Sequence, residues 1–163
     1  MIGKLGTSVD DANSDLWLCT MNTMTYASTL RRYDLATFTQ ETEFPAQAGA
    51  CNDIAIDGNR NVHITDSFTG IERLPVGGSA LELWATNASF TAGPGEFAID
   101  EIVIDGDHIY VNNLTSGSLI RVMIQRESSL GAEEQPREKI SRLCRRGWEM
   151  CARGGMRSQR VCV

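Results

Sequence analysis

No stretch of this sequence approaches the length of apolar residues that crosses a membrane, and its first residues lack the apolar core of a secretory leader. Histidine is nearly missing. His63 and His108 stand alone on their strands and read as structural residues. Asp66-Ser67 has no histidine or second acid placed beside it, so no nucleophile–base pair is legible there. No phosphate-binding loop or nucleic-acid motif is present, and Cys144, Cys151 and Cys162 are spaced unlike any zinc pattern. Cys19 and Cys51 suggest no disulfide framework; at apolar strand positions, both read as buried free thiols.

Charge is unevenly spread. Residues 1–125 hold 6 Lys/Arg against 16 Asp/Glu, a net of −10, while residues 126–163 hold 9 against 5, a net of +4. Residues 1–125 are rich in Thr, Ile, Val and aromatics, as strands require. The segment 126–163 is basic, rich in Arg and Cys, and has no Thr, Phe or Tyr. It breaks the alternating pattern just after Leu119-Ile120-Arg121-Val122-Met123-Ile124. Three readings of it stay open: a reading-frame shift, a disordered basic extension, or a basic amphipathic helix for a membrane surface or partner.

What the sequence does have is a repeat. Asn52-Asp53-Ile54-Ala55-Ile56-Asp57-Gly58 returns 48 residues later as Asp100-Glu101-Ile102-Val103-Ile104-Asp105-Gly106. Val62-His63-Ile64-Thr65-Asp66 returns 46 residues later from His108. A period in the forties that carries strand, tight turn and strand marks a β-propeller blade. The expected fold is therefore all-β: about three four-stranded antiparallel blades of a propeller, at about 7–45, 52–85 and 100–125, within residues 1–125, followed by the non-propeller tail 126–163. The strands expected in the first blade are 16–20, 30–35 and 39–44; in the second 53–57, 62–66, 70–75 and 80–85; in the third 101–105, 108–112 and 118–124. Leu16, Val62 and His108 align at steps of 46, as do Thr20, Asp66 and Asn112, and Arg32, Arg73 and Arg121 hold similar places on the third strands. Trp17, Trp84 and Tyr110 read as core between sheets.

Asn52 and Asp100 stand just before the innermost strands, where side chains face the axis of a propeller. Both carry side-chain oxygen, the donor that hard divalent cations choose. The competing reading is that they end loops with local hydrogen bonds. Asp57-Gly58-Asn59 reads as a turn.

The run from Ala50 through Asn52-Asp53 and Asp57-Gly58-Asn59 to Thr65-Asp66-Ser67 resembles the senescence-marker-protein/gluconolactonase (SMP-30-like) family, and Leu16 to Thr20 and Ile109 to Asn113 resemble its second strands. The likeness covers roughly residues 5–125, three of that family's six blades. It implies hydrolysis of sugar lactones or related esters with one divalent metal, calcium or zinc among them. By resemblance Asn52 and Asp100 are metal ligands, and Asn52 and Glu101 contact the substrate. Asp100 stands where the family has Asn, Glu101 where it has a small Gly, and the family's Glu and Asp ligands from other blades have no counterpart here. The expectation is a lactonase-like chain inactive as written, with a non-catalytic propeller that binds a ligand or protein as the alternative. Three blades also leave edges for self-association. The start at Leu5 to Asp10 reads as mid-blade, so a leader lost upstream and an extracellular or periplasmic home stay open. Asn87-Ala88-Ser89 and Asn113-Leu114-Thr115 fit the glycosylation triplet.

Overall fold

A computed structural model describes residues 2–47, 49–91, 93–124, 151–153 and 160–162. Among them the protein is all-β, with one 3-10 turn at Ala88–Phe90 and no α-helix. No helix of these residues is long and apolar enough to cross a membrane.

Three antiparallel sheets follow one another along the chain; the first two are meanders, and the third begins as one. The first is β1 (Ile2–Asp10), β2 (Asp15–Asn22), β3 (Ser28–Asp34) and β4 (Gln40–Pro45). The second is β5 (Cys51–Ile56), β6 (Val62–Asp66), β7 (Gly70–Leu74) and β8 (Glu82–Ala85). The third is β9 (Ile99–Asp105), β10 (His108–Asn113) and β11 (Ser118–Met123), joined at its β11 edge by the short β13 (Arg160–Cys162) and then β12 (Cys151–Arg153). The three readings of the basic segment otherwise fall outside the described residues. Within them, β13 lies antiparallel to β11, in the place that β4 and β8 take in their sheets.

The expected strands form within two residues at each end; β1, which was not among them, completes the first sheet. In β10 the even alternation of Ile109, Val111 and Asn113 buries one face and leaves the other to His108, Tyr110 and Asn112. The sheets stack through such faces. Trp17, Cys19, Leu30 and Phe44 of the first pack on Ile54, Val62, Ile64 and Leu74 of the second. Ile71 and Ala85 of the second pack on Ile102, Ile109, Val111, Ile120 and Val122 of the third. Each fully buried aliphatic side chain of this kind contributes about 1.5–3 kcal/mol. Trp17 and the half-buried Trp84 join this core as expected, but Tyr110 lies on the far face of the third sheet. That face is open, with Val103 at 61% and Leu119 at 70% exposure.

The first strands of the sheets, β1, β5 and β9, lie side by side. Gly6 is what lets β1 approach: a Cβ there would stand 2.5 Å from both the Asn52 carbonyl oxygen and the Asp53 Cα.

Two expectations change. Alignment by structure replaces Thr20, Asp66 and Asn112 with Asn22, Asp66 and Asn113. Each of these faces the first residue of its sheet's first strand, Ile2, Cys51 and Ile99 respectively. Each also accepts backbone N–H groups from the turn that follows: Met24 and Thr25, Phe68, and Ser116. The steps are 44 and 47 rather than 46, because the turns after these residues differ in length and bulges interrupt each first pair of strands. Across the sheets Arg73 and Arg121 stay equivalent, facing His63 and Tyr110, while Arg32 sits two residues further along its strand, facing Trp17.

The second change is at the cysteines. Cys19 of β2 and Cys51 of β5 are disulfide-bonded across the first two sheets, with Cα atoms 5.5 Å apart. That spacing suits the bridge. Sequence alone hides it, because 32 residues separate the partners and only the stacking of sheets brings them together. The cross-link restricts a long loop of the unfolded chain and stabilises by about 2–4 kcal/mol. We expect the full chain carrying C19A and C51A to lose that much in urea unfolding, with the midpoint falling in proportion. Alanine avoids burying new hydroxyl groups. An unchanged midpoint would show that the core alone holds the first two sheets together.

Candidate functional site

The residues singled out by the repeat gather where β5 and β9 begin. Asn52 and Asp100 do not precede these strands; they are the second residues within them. Asn52 is half-buried, and its Nδ2 donates to Ser67 Oγ and to the Ile99 carbonyl at 3.3 Å. Ser67 Oγ donates to the same carbonyl at 2.6 Å. The amide group of Asn52 thus ties the second sheet to the strand that carries Asp100. Its Oδ1 makes no hydrogen bond among the described residues.

The next residues repeat a second arrangement. A bulge between Cys51 and Ile54 takes the Asp53 N–H off the ladder, and that group donates to Thr65 Oγ1 at 3.1 Å. At the matching break in the third sheet, the Glu101 N–H donates to Asn112 Oδ1 at 2.8 Å. Thr65 Oγ1 donates in turn to the Asp100 carbonyl, and Asp53 Oδ2 accepts the Ile102 N–H at 3.1 Å. Side chains near the ends of β6 and β10 therefore complete the hydrogen bonding of two bulged strands.

These contacts place three carboxylates together. Burial pushes the Asp100 carboxyl above its ordinary value, and the negative charges of Glu101 and Asp53 push it the same way. Asp100 and Asp53 are half-buried and Glu101 is exposed. Asp53, Thr65 and Ser67 belong to this cluster although sequence reasoning passed over them as site residues. The signal was a polar Asn52-Asp53 step inside an otherwise apolar strand.

The donors suit a hard divalent cation in kind: an amide oxygen at Asn52, carboxylates at Asp100 and Glu101, and a local excess of negative charge. They are few. Among the described residues, no group of three or more His, Cys, Asp or Glu side chains is set to hold a metal ion.

Two clefts open at the other end of the strands, and neither is lined by Asn52 or Asp100. One, about 830 Å³, lies at the turns of the second and third sheets, beside Asp57, Asn61, Arg73 and Asp107. The other, about 470 Å³, lies between the first two sheets beside Asp15, Trp17 and Arg32, and is bordered by the Arg60–Asp10 ion pair at 3.0 Å. Trp17 Nε1 is buried without a hydrogen-bond partner among the described residues.

His63 is fully buried between the second and third sheets, edge-on to Trp84 at 4.9 Å, and its Nε2 lies 3.1 Å from Asp57 Oδ2. Asp57 also accepts N–H groups of Asn59 and Asn61 and the Asn61 side-chain amide at 2.8 Å, which makes 57–61 the expected tight turn. His108 is half-buried, its ring 6.3 Å from Tyr110.

No protein-family model matches the chain, and no curated protein matches it.

The Asp57 turn yields a prediction. Burial opposes ionisation of this carboxyl, but hydrogen bonds from His63 and Asn61 outweigh it and take the group from 3.8 down to about 2. A carboxyl with a lowered folded value adds stability above the unfolded value and loses it as pH falls through the folded one. Between about pH 4 and pH 2 the wild-type chain should lose roughly 1–2 kcal/mol from this group, discounting for solvent screening. Asp57→Asn should be less stable at pH 7 and show a shallower loss over that window, measured by urea unfolding against pH. Parallel curves for the two proteins would remove Asp57 as the cause.

Proposed function

We propose that the three sheets are consecutive blades of a β-propeller of the SMP-30-like kind, and that Asn52, Asp100 and Glu101 are this chain's share of a metal-dependent lactone or ester hydrolase site. The observation that carries the reading is that β1, β5 and β9 lie side by side, with the polar steps Asn52-Asp53 and Asp100-Glu101 at the same end of β5 and β9. Strands so arranged aim oxygen donors from successive sheets at a common region, which is how a propeller builds one site from several blades.

A divalent cation bound there would polarise a lactone carbonyl and activate water. The chain's own residues have narrower tasks. Asn52 is fixed through its Nδ2 by Ser67 and Ile99, which leaves Oδ1 as its ligand atom. Asp100 supplies charge, and Glu101, the exposed member, is placed to meet a substrate. Two metal-side donors are too few for turnover, so these residues alone are not expected to hydrolyse a lactone.

A second reading is a non-catalytic propeller module that binds a ligand or protein. The use of the Asn52 amide as a strut between sheets favours it, as does the bulk of Glu101 where the family carries Gly.

Calorimetric titration of the full chain with calcium, and separately with zinc, tests the first reading. We expect binding that weakens as pH falls toward the raised titration of Asp100, because protons compete with the cation for that carboxyl. Asp100→Ala should weaken affinity about tenfold or more, a change of about 1.4 kcal/mol per factor of ten. Equal affinity in both proteins, or no binding by either, would overturn the hydrolase reading and leave the binding module.

A further inference from the structure

We propose that Asn87 is an N-glycosylation site, and that Asn113, in the chain's second Asn-x-Ser/Thr triplet, is closed to the same modification. The proposal is independent of the hydrolase reading. It rests on the different uses the fold makes of two triplets that are equivalent in sequence.

Asn113 is spent on structure. It is 3% exposed, its Nδ2 donates to the Ser89 carbonyl at 2.8 Å, and its Oδ1 accepts the Ser116 N–H at 2.9 Å. The third residue of its triplet is engaged as well, since Thr115 Oγ1 donates to the Phe97 carbonyl at 2.9 Å. Both side chains hold the connection between β8 and β9. A glycan on Asn113 Nδ2 would crowd the bond to Ser89 and demand space that the fold fills.

Asn87 lies on that same connection and is half-buried. It caps the 3-10 turn Ala88–Phe90, with Oδ1 accepting the Ser89 N–H at 2.9 Å. The side-chain oxygen is thereby turned back on the backbone, and Nδ2, the atom to be modified, makes no hydrogen bond among the described residues. Thr86 and Ala88 on either side are exposed, while Phe90 is fully buried and anchors the turn. A bulky, solvated group at Asn87 needs no rearrangement of the core.

The Cys19–Cys51 bridge belongs to an oxidising environment, and in secretory pathways that is where Asn-x-Ser/Thr triplets are read. In the reaction, Asn87 Nδ2 forms a C–N bond to the anomeric carbon of a lipid-linked glycosyl diphosphate. The diphosphate-lipid leaves with the bonding electron pair, and one amide proton passes to a base of the transferase.

The test expresses the full chain behind a cleavable leader in eukaryotic secretory cells. The secreted, disulfide-bonded protein is then treated with peptide N-glycosidase and peptide-mapped. The expected result is one glycan, carried by the Asn87 peptide and abolished by N87Q. T115A, which destroys the second triplet but keeps Asn113, should leave the glycan unchanged. A secreted chain unmodified at Asn87, or a glycan on the Asn113 peptide of the folded protein, would overturn the proposal. Should a variant fail to be secreted, translation with microsomes replaces secretion. There, a membrane-protected wild-type chain without a glycan that N87Q removes would overturn it equally.

Discussion

One buried carboxylate organises the end of the molecule where the candidate site lies. Asp66, fully buried at the end of β6, accepts the Gly49 N–H at 2.9 Å and the Ala50 N–H at 3.2 Å with Oδ2, and the Phe68 N–H at 2.9 Å with Oδ1. A buried charge is tolerated only when its lone pairs are met, and here backbone groups meet them. The chain leaving the first sheet is thereby pinned to the turn between β6 and β7. Glu72, also buried, takes the Gln47 N–H of the same connection at 3.0 Å. Cys51 follows directly, which sets its pairing with Asp66 and its bridge to Cys19. Asn52 and the bulge come next. Together with the bridge, Asp66 thereby sets where β5 enters its sheet and hence the place from which Asn52 reaches Ile99.

The same plan, with weaker chemistry, serves the entry to the third sheet. Ser67 N–H bonds the Ala50 carbonyl at 3.1 Å, and Leu114 N–H bonds the Ala98 carbonyl at 2.8 Å, so Ala50 and Ala98 are equivalent doorposts of β5 and β9. Asn113 replaces Asp66, and the neutral amide donates as well as accepts, reaching Ser89. Repetition therefore lies in the hydrogen-bond scheme as much as in the residues. It extends to packing, because the second sheet offers one apolar face to each neighbour. The third sheet offers its matching far face, with Val103 and Leu119, to solvent among the described residues.

Strand positions, β1 excepted, were legible in the sequence because alternation and turn residues are local signals. Register was not. Bulges at Lys4/Thr7, Cys51/Ile54 and Val111/Asn113 shift the pairing without leaving a gap that spacing can detect. Counting by 46 therefore placed Thr20 and Asn112 beside Asp66, where the ladder places Asn22 and Asn113. Tyr110 was misassigned for a related reason: an aromatic on a strand says nothing about which face it occupies until its neighbours Ile109 and Val111 are seen to be buried. The disulfide depended on contact between sheets, which no local pattern carries. At the site, Asn52 and Asp100 were found by repetition, whereas Thr65 and Ser67 emerged only from the bonds that their hydroxyls make.

Asn52 and Asp100 occupy equivalent places, and their chemistry separates what each can do. Asn52 carries donors as well as an acceptor, so it can reach the carbonyl of Ile99 on the next sheet and still turn its oxygen elsewhere. Ionised Asp100 has acceptors only and cannot form that strut to a following strand. It also shares its surroundings with Glu101 and Asp53, whose charges oppose its ionisation. Two things would relieve that repulsion: a proton, which would restore a donor at position 100, or a divalent cation, which would offset two of the three negative charges. A proton leaves a scaffold position like Asn52. A cation would instead draw on the Asp100 carboxylate as a ligand, so the two equivalent positions part company at the charge that Asp100 carries and Asn52 lacks.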